Sequence, residues 1–529
     1  MGFTKNFRYK KFNKTLFKNK QSSNDGVILI EFNAFNDFHV VNSVLANFLK
    51  KKFRCKIKGF FNYSVLSSTL VFSLKNKLKW FMGKFLNLGY FSIYNSFGVD
   101  EIFRPKISKS ISKISKIFFD KKFKKIKNRN NLLNFKINNI LVGDLIYDTY
   151  LKSKKVPTLS IESNDFKIFF LEFLNLYFFW HNYFKKNKVN AVITSHLSYS
   201  YAIPLRIANK QNILSLVATS KSIIKYSKNT YYGYGDFKNY QRLFLKFSKE
   251  EQIKKLKLSE QNFKKRFNGN TGLKGDKVLF YSNKSSFNNY KIKKEYIKKN
   301  NRSKILICTH DFFDAVHLYG KFIFPDFYNW LNYLGEFSKS TNYDWYIKNH
   351  PRVGGKFLIS HKATEKIVIE ILRKYPNIKL LPDNLSHKYI MRKGINLVLT
   401  VYGTVGVEYP FFGIPVLNAG PNNPHSAFGF NHHPKNLEEF NKILKKIPKM
   451  KNINKIRNEI LIYYYMNYLN PNDNWFFPNY YKMIKSIGGY ENLPSDRIYD
   501  YFVKNITKKD IINIEKNLNQ FLINKNYRI

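Results

Sequence analysis

Short apolar runs alternate with amphipathic stretches from residue 26 onward, and this alternation predicts an α/β fold. Residues 26–32 (GVILIEF) are a continuous, β-branched run that predicts a buried strand. A helix is predicted over 40–49, and the lysines at 50–52 suit its carboxyl terminus. Further strands are predicted over 55–61, 139–142 and 191–194. This succession predicts a parallel sheet with helices on both faces.

The same rhythm restarts at residue 304, which predicts a second α/β domain. Strands are predicted over 304–308, 344–350, 395–401 and 415–419, with helices between them. Residues 246–300 are polar, rich in lysine and glycine, and typical of a connector. The predicted organisation is a basic leader (1–25), a first domain (26–245), a linker (246–300), a second domain (301–450) and C-terminal helices (451–529), the last returning to the first domain. Two such domains are expected to face each other across a cleft, the usual place for a substrate.

Composition supports a globular protein and adds a strong positive charge. The 529 residues are 44% hydrophobic, and 91 Lys and Arg oppose 35 Asp and Glu, for a net charge of +56. Such a chain could bind nucleic acid, an anionic membrane or a phosphate-bearing glycolipid. Lysine far outnumbers arginine, whereas nucleic-acid readers favour the guanidinium group, so nucleic acid is not an expected partner. Drift in an AT-rich genome is the favoured explanation of most of the charge.

Cysteine usage and hydropathy point to a cytoplasmic protein. Cys55 and Cys308 form neither a disulfide framework nor a metal-binding spacing, which fits a reducing compartment. Residues 1–25 lack the features of a signal peptide, and the apolar window 166–184 is interrupted by polar residues, so it predicts a buried or interfacial helix. Residues 105–127 form a basic amphipathic stretch. It is either a helix that contacts an anionic membrane or acceptor, or a domain helix with a solvated lysine face.

The segment 396–420 (NLVLTVYGTVGVEYPFFGIPVLNAG) carries the most chemistry. A buried strand ends at 401, a turn contains Gly403, and a helix is predicted from Thr404. Gly403 and Gly406 would let a phosphate approach the backbone, and the Thr404 hydroxyl could donate to it or simply cap the helix. Glu408 lies one turn further on the same face, where it could accept hydrogen bonds from a ribose diol or be an ordinary solvated residue.

Two other predicted strands of the second domain end in histidine. In residues 346–352 (YIKNHPR), the proline after His350 favours an extended conformation, and Lys348 and Arg352 flank it with positive charge that suits a phosphate or a sugar carboxylate. In residues 308–311 (CTHD), His310 could contact substrate and Asp311 orient it. A metal site built from the neighbouring histidines is not favoured, and no metal or cofactor is expected.

Candidate acceptor-side residues follow two strands of the first domain. Asp144 comes after the strand predicted at 139–142, with Asp148 one turn beyond, and His196 comes after the strand at 191–194. Catalytic groups of open parallel sheets gather at the carboxyl ends of strands. Each of the three is therefore a candidate catalytic base, although Asp144 could simply cap a helix.

These motifs resemble the capsule and surface-polysaccharide biosynthesis proteins, a group related to capsule Kdo transferases and CDP-glycerol glycerophosphotransferases. The resemblance rests on LTVYGTVGVEYPFFGIPVLNAG, the strand-end His-Pro and THDFFDAVH, and is strongest over residues 304–440. It implies two Rossmann-like domains of the GT-B type, with the nucleotide donor held by the C-terminal one and the acceptor by the N-terminal one. The family's donor-site residues fall on His350, Thr404 and Glu408. The turn Gly-Thr-Val-Gly replaces a Ser-rich turn, which argues against CDP-glycerol as the donor.

Three functions follow from these patterns. The leading hypothesis is a glycosyltransferase that moves a sugar from a nucleotide sugar to a glycan or lipid-linked acceptor during surface-polysaccharide assembly. A nucleotide-sugar epimerase of the same fold is an alternative, although such enzymes usually carry paired acids where Tyr409 follows Glu408. A non-catalytic scaffold that binds polyanions or glycolipids is the alternative from another class, and it would show no selectivity among nucleotides.

Overall fold

The computed structural model divides into two compact units. It describes residues 2–17, 25–33, 35–61, 74–227, 232–233, 235–267, 294–350, 358–470, 475–489, 492–524 and 527–529. Unit 1 comprises Met1–Lys154, Leu159–Gly233 and Asn472–Ile529, and unit 2 comprises Lys155–Thr158 and Tyr234–Pro471. The chain therefore leaves unit 1, builds unit 2 and returns to unit 1.

The described elements alternate as the sequence pattern predicts. The strands are β1 (Val27–Glu31), β2 (Lys56–Phe60), β3 (Glu101–Phe103), β4 (Lys136–Ile137), β5 (Ile140–Leu141), β6 (Val189–Thr194), β7 (Leu214–Ala218), β8 (Ile223–Lys225), β9 (Lys304–Cys308), β10 (Asp344–Lys348), β11 (Ile378–Leu380), β12 (Leu397–Thr400) and β13 (Val416–Asn418). The helices are α1 (Gly2–Leu16), α2 (Asn36–Phe53), α3 (Leu74–Phe85), α4 (Gly89–Ser96), α5 (Lys109–Lys122), α6 (Arg129–Leu133), α7 (Gly143–Lys154), α8 (Asn164–Lys186), α9 (Ile203–Lys210), α10 (Tyr240–Phe244), α11 (Lys249–Phe267), α12 (Phe327–Lys339), α13 (Leu358–Lys374), α14 (His387–Arg392), α15 (Val405–Phe411), α16 (Leu437–Lys445), α17 (Ile453–Tyr464), α18 (Tyr480–Ile487), α19 (Arg497–Asn505) and α20 (Lys508–Ile523).

Each unit is built on one largely parallel sheet. In unit 1 the strand order is β3-β2-β1-β6-β7-β8, parallel except for β8, which runs antiparallel to β7. In unit 2 the order is β11-β10-β9-β12-β13, and every pairing is parallel. All five residues of β1, β9 and β10 are buried, because helices cover both faces of such a sheet. The two predicted Rossmann-like α/β domains are confirmed.

The order of strands creates one switch point in each sheet. In unit 1 the chain winds from β1 towards β3 and then, from β6, in the opposite direction; in unit 2 it winds from β9 towards β11 and then from β12 towards β13. The switch points therefore lie between β1 and β6 and between β9 and β12. Ligands of open α/β sheets bind at such points, beyond the carboxyl ends of the strands.

A strand is present within residues 139–142, as β5, but its predicted place in the parallel sheet is wrong. Ile140–Leu141 pairs antiparallel with Lys136–Ile137 in a separate two-stranded ladder. Asn138 and Asn139 both adopt positive φ, at 50° and 61°, the conformation that closes a tight hairpin. Asp144 and Asp148 consequently lie in helix α7 rather than at the carboxyl edge of the sheet.

The boundaries of the units differ from the predicted domains at several places. Helix α1, in the predicted basic leader, packs on α19, where the rings of Tyr9 and Tyr499 stack with centroids 4.4 Å apart. Helix α11, in the predicted linker, packs into unit 2, because Phe263 and Phe267 join a core cluster with residues of α17. Helices α18 to α20 belong to unit 1, and the amide of Ile223 donates to the carbonyl of Ile529 over 2.9 Å.

The apolar window 166–184 lies in helix α8. This helix buries aromatic residues along its length, including Phe170, Phe173, Tyr177 and Trp180. Within the described part of the chain, no helix combines the length and the apolar character needed to cross a membrane. The basic stretch 105–127 contains helix α5, which buries Ile111 and leaves Ile114 and Ile117 exposed.

Candidate functional site

The sheet of unit 2 brings the predicted donor-site segments to one edge. Strands β10, β9 and β12 are neighbours and parallel, so the residues that follow them emerge side by side. His350 follows β10, His310 follows β9, and Gly403 lies in the turn after β12. The amide of His350 donates to the Thr309 hydroxyl over 3.1 Å, which joins the first two segments. We call this edge of the sheet, with the residues His310, His350, Gly403, Thr404 and Glu408, the unit 2 site.

His310 lies at the switch point between β9 and β12. Its Nε2 is 3.1 Å from the Thr400 hydroxyl and accepts from the amide of Val401 over 3.4 Å. Because Nε2 accepts from an amide, the ring proton resides on Nδ1. Burial, together with the nearby charge of His350, lowers the pKa of His310 to about 3. His310 is therefore neutral, and its accepting nitrogen is occupied within the fold.

The two glycines of the β12–α15 turn are required by the protein's own packing. A Cβ atom on Gly406 would lie 2.6 Å from a ring carbon of His425, and one on Gly403 would lie 2.8 Å from the Thr400 hydroxyl. Both positions therefore exclude a side chain, and the predicted approach of a phosphate to this turn stays a prediction. The Thr404 side chain makes no capping hydrogen bond to α15. The simple capping role considered for Thr404 is therefore not observed.

Glu408 is buried and paired with Arg266, a contact that the sequence analysis missed. The Nε and a terminal nitrogen of Arg266 lie 2.8 Å and 2.6 Å from Glu408 Oε1. The Arg266 side chain is 15% exposed and the Glu408 side chain is 4% exposed. Among the described residues none hydrogen-bonds to Oε2, the second carboxylate oxygen. Glu408 is therefore not a solvated helix residue, and its contacts with Arg266 are made through Oε1.

Lys348, one of the two cations predicted beside His350, is held by contacts within unit 2. Lys348 is buried and its ammonium group donates to the carbonyls of Asp383 and Pro382 over 2.8 Å and 3.3 Å. Burial lowers the pKa of Lys348 to about 8. Its contacts tie β10 to the segment after β11, so its predicted contact with the donor stays a prediction. Arg352 lies outside the described residues.

In unit 1, the three candidate bases occupy different environments. Asp144 forms a buried bidentate pair with Arg206, with contacts of 2.7 Å and 2.6 Å, so both of its oxygens are engaged. Asp148 is buried one turn further along α7. His196 is exposed just beyond β6, and its Nδ1 lies 2.6 Å from the Ser195 hydroxyl. The structure does not bring Asp144 and His196 to the same strand edge.

The sequence did not reveal Glu31 and Asn33 as partners of Ser195, the residue before His196 in unit 1. Glu31 is the last residue of β1, and Ser195 directly follows β6, so both are at the switch point of the sheet. The signal was present, because Glu31 lies near the end of one apolar run predicted as a strand and Ser195 follows another. Arg266 gave no such signal, since it lies in a segment whose lysine-rich composition suggested a linker.

The described residues contain no group of three or more His, Cys, Asp and Glu side chains placed to hold a metal ion. Cys55 and Cys308 are both buried and unpaired with each other. Burial raises the pKa of the Cys308 thiol to about 12, so it is a poor nucleophile at neutral pH.

No known protein family and no curated protein matches the sequence. Solved structures match over most of the chain. UDP-GlcNAc 2-epimerase from Neisseria meningitidis, bound to UDP-GlcNAc, is 12% identical with a TM-score of 0.22, covering 83% of this chain and 95% of the epimerase. MurG from Acinetobacter baumannii is 12% identical with a TM-score of 0.21, covering 84% and 95% of the two chains. The wall teichoic acid polymerase TagF is 9% identical with a TM-score of 0.19 and covers 98% of both chains. At these values the similarity carries no assignment, and the case for function rests on this chain's own residues.

Proposed function

We propose that this chain is a glycosyltransferase of the GT-B type that transfers a sugar from a nucleotide-activated donor to a glycan or lipid-linked acceptor. The observation that carries the proposal is the unit 2 site, where His310, His350, Thr404 and Glu408 gather around the switch point between β9 and β12. Nucleotides bind at this position in open α/β sheets. The motif resemblance to capsule and surface-polysaccharide proteins supports assembly of a surface glycan as the process.

Three residues of the unit 2 site have roles that fit their environments. The Thr404 hydroxyl and the Nδ1 proton of His310 are donors suited to the diphosphate, whose leaving group gains negative charge during transfer. Oε2 of Glu408 is suited to accept a ribose hydroxyl, while Arg266 holds Oε1. We assign no cofactor and no metal to the reaction, since donors and cations of this kind can stabilise the leaving diphosphate.

The remaining partners follow from the same proposal. The donor is a nucleotide sugar, and nucleic acid is not a partner. The protein acts in the cytoplasm, and an anionic membrane surface is a candidate contact, because lipid-linked acceptors reside there. Residues 105–127 are one candidate for this contact, with a domain helix that has a solvated lysine face as the favoured alternative, and both stay predictions.

The proposal is tested by thermal shift with CMP, CDP, UDP and GDP, followed by transfer assays with the sugar nucleotides of the responding base. We expect one nucleotide to raise the melting temperature clearly above the others. Glu408→Gln and Thr404→Val should reduce this shift, whereas Thr15→Val, an exposed change on α1, should not. No response to any nucleotide, with equal binding of all polyanions, would support the scaffold hypothesis instead.

The same assays separate transfer from epimerisation. A UDP-sugar incubated without acceptor should be returned unchanged or slowly hydrolysed if the protein is a glycosyltransferase. Conversion of the sugar to its 2-epimer would make the protein an epimerase and overturn the proposal.

A further inference from the structure

A hydrogen-bonded relay occupies the switch point of unit 1. Glu31 ends β1, and Ser195 and His196 follow β6, its parallel neighbour. Glu31 and Ser195 are almost completely buried, whereas the His196 ring is exposed between the rings of Phe38 and Tyr201, at 6.4 Å and 5.8 Å. A buried carboxylate is thus connected through one hydroxyl to an imidazole that solvent can reach.

Three donors fix the Glu31 carboxylate. The amide and the hydroxyl of Ser195 both donate to Oε2 over 2.7 Å, and the Asn33 side chain donates to Oε1 over 3.1 Å. The Asn33 side chain is itself oriented by the Phe35 amide, which donates to its oxygen over 2.9 Å. Acceptance from three donors is the hydrogen-bonding pattern of an ionised carboxyl group.

The direction of these hydrogen bonds determines which nitrogen of His196 carries the proton. The Ser195 hydroxyl has one proton, and it donates that proton to Glu31, which as a carboxylate can only accept. Ser195 Oγ must therefore accept from His196 Nδ1, which lies 2.6 Å away. The proton resides on Nδ1, and Nε2 keeps its lone pair.

We propose that His196 is the catalytic base for the acceptor hydroxyl and that Glu31 and Ser195 are positioning residues. His196 Nε2 removes the hydroxyl proton as the acceptor oxygen bonds to the anomeric carbon. The bond from that carbon to the donor phosphate breaks, and its electron pair leaves with the nucleotide. Glu31, acting through Ser195, stabilises the resulting imidazolium charge without taking the proton. This assignment selects His196 over Asp144, whose oxygens are engaged by Arg206.

The inference rests on the proposed function, so its first test does not depend on activity. Long-range proton–nitrogen NMR spectra of the protein labelled with ¹⁵N-histidine, assigned with His196→Gln, report the tautomer at pH 8. We expect the Nδ1–H form in the wild type and loss of that preference in Ser195→Ala. A wild-type His196 in the Nε2–H form would overturn the relay, whatever the protein catalyses.

The second test uses the transfer assay and nucleotide binding together. His196→Gln should lower kcat by about 10²–10⁴-fold, the usual contribution of a general base. Glu31→Gln and Ser195→Ala should each lower kcat by about tenfold with the nucleotide-induced thermal shift unchanged, and Ser198→Ala, on the same loop, should match the wild type. Wild-type kcat in His196→Gln, with nucleotide binding intact, would overturn the role of His196 but leave the proposed function standing. Absence of a nucleotide response in the wild type would overturn the proposed function and with it the role of His196 in transfer, while the relay itself would still be tested by the NMR spectra.

An independent observation concerns the exposed face of α3 in unit 1. Leu78, Phe81, Met82 and Phe85 are spaced as one helical face and are 60%, 65%, 46% and 79% exposed. The opposite side of the helix packs inward through Trp80, whose ring lies 4.7 Å from those of Phe61 and Phe91. The apolar face is continued by Leu86 and Leu88, each 51% exposed. Exposed apolar patches of this kind mark interaction surfaces.

We infer that this face of α3 inserts into an anionic membrane surface. Lys79 and Lys84 project on either side of the apolar face at helical spacing, the arrangement of a helix that lies in the plane of a bilayer. The two ammonium groups beside the apolar face complement acidic lipid headgroups. On α5, by comparison, only Ile114 and Ile117 form an exposed apolar pair.

Vesicle co-sedimentation with the full chain tests this assignment. We compare vesicles of phosphatidylcholine with vesicles containing about one third phosphatidylglycerol. Phe81→Ser with Phe85→Ser should weaken binding to the anionic vesicles by about 100-fold, roughly tenfold for each ring, whereas the matched pair Ile114→Ser and Ile117→Ser should bind like the wild type. The assignment would be overturned if the α5 double variant lost vesicle binding and the α3 double variant kept it. It would also be overturned if the wild type formed a dimer without lipid and the α3 double variant did not.

Discussion

Removal of the Glu408 carboxylate should destabilise unit 2 strongly, independently of any role in binding. Glu408 Oε1 accepts two hydrogen bonds from Arg266, and the two side chains are 4% and 15% exposed. Loss of one partner of a buried ion pair costs about 3–5 kcal/mol. The partial exposure of Arg266 places the expected cost of Glu408→Ala at the lower end, about 3 kcal/mol. For a unit of this size that is a fall in melting temperature of about 6–12 °C.

A series of variants separates the ion pair from the carboxylate's chemistry. Glu408→Gln keeps an oxygen for Arg266 and should cost only about 1 kcal/mol. Replacing Glu408 and Arg266 together by Met removes both charges and should restore most of the stability. Glu260→Ala, which breaks an exposed pair on the same helix α11, is the control and should cost less than about 1 kcal/mol.

Thermal unfolding followed by circular dichroism, with urea titration as a second measure, checks these values. A melting temperature of Glu408→Ala within about 2 °C of the wild type would refute the reasoning. The result also determines how activity data are interpreted. A loss of activity in Glu408→Ala is explained by unfolding alone, whereas a loss of nucleotide binding in the folded Glu408→Gln variant reports on the Oε2 atom.

Three further predictions concern buried titratable groups. Burial raises the pKa of Asp37 to about 7. The native state therefore holds a proton that the unfolded chain releases near pH 4. The free energy of unfolding falls as the pH rises from about 4 to about 7, by at most about 4 kcal/mol. Asp37→Asn should therefore reduce the difference in unfolding free energy between pH 5 and pH 8, and a difference as large as that of the wild type would contradict this. Arg206→Met should destabilise unit 1 by about 3–5 kcal/mol in urea titration, because it leaves the Asp144 carboxylate buried without its bidentate partner; an unchanged midpoint would show that the pair contributes nothing. The pKa of the Cys308 thiol is raised to about 12 by burial, so iodoacetamide at pH 8 should modify Cys308 only after denaturation, as measured by mass spectrometry. Rapid labelling of the native protein would show that the thiol is accessible.

The predictable part of the fold is the part encoded by local pattern. The strands β1, β9 and β12 are built on continuous apolar runs, and their burial on both faces is what such runs predict. The pattern failed at residues 139–142, because an apolar run of that length does not distinguish a sheet strand from one arm of a hairpin. The distinguishing feature was the pair Asn138 and Asn139, both of which tolerate positive φ.

Partners in the candidate sites were less predictable than positions. Strand ends placed His310, His350 and His196 at the edges of the sheets, where the structure finds them. The partner of Glu408, however, is Arg266, which is 142 residues away on α11. The many lysines of this helix made its buried positions hard to recognise in the sequence. Glu31 and Ser195 are 164 residues apart and meet only because β1 and β6 are neighbours. Contacts of this kind depend on the order of strands, which single-sequence patterns do not contain.

The return of the chain to unit 1 has a consequence for biosynthesis. Ile223 and Ile529 exchange two backbone hydrogen bonds, so the edge of the unit 1 sheet beyond β8 is occupied by the last residue of the sequence. On a translating ribosome, the strands of unit 1 and the described strands of unit 2 are all made before the segment Asn472–Ile529. Domains generally fold in order from the N-terminus during synthesis. Here unit 1 can be completed only after unit 2 has been synthesised, and until then the outer edge of β8 is without its partner.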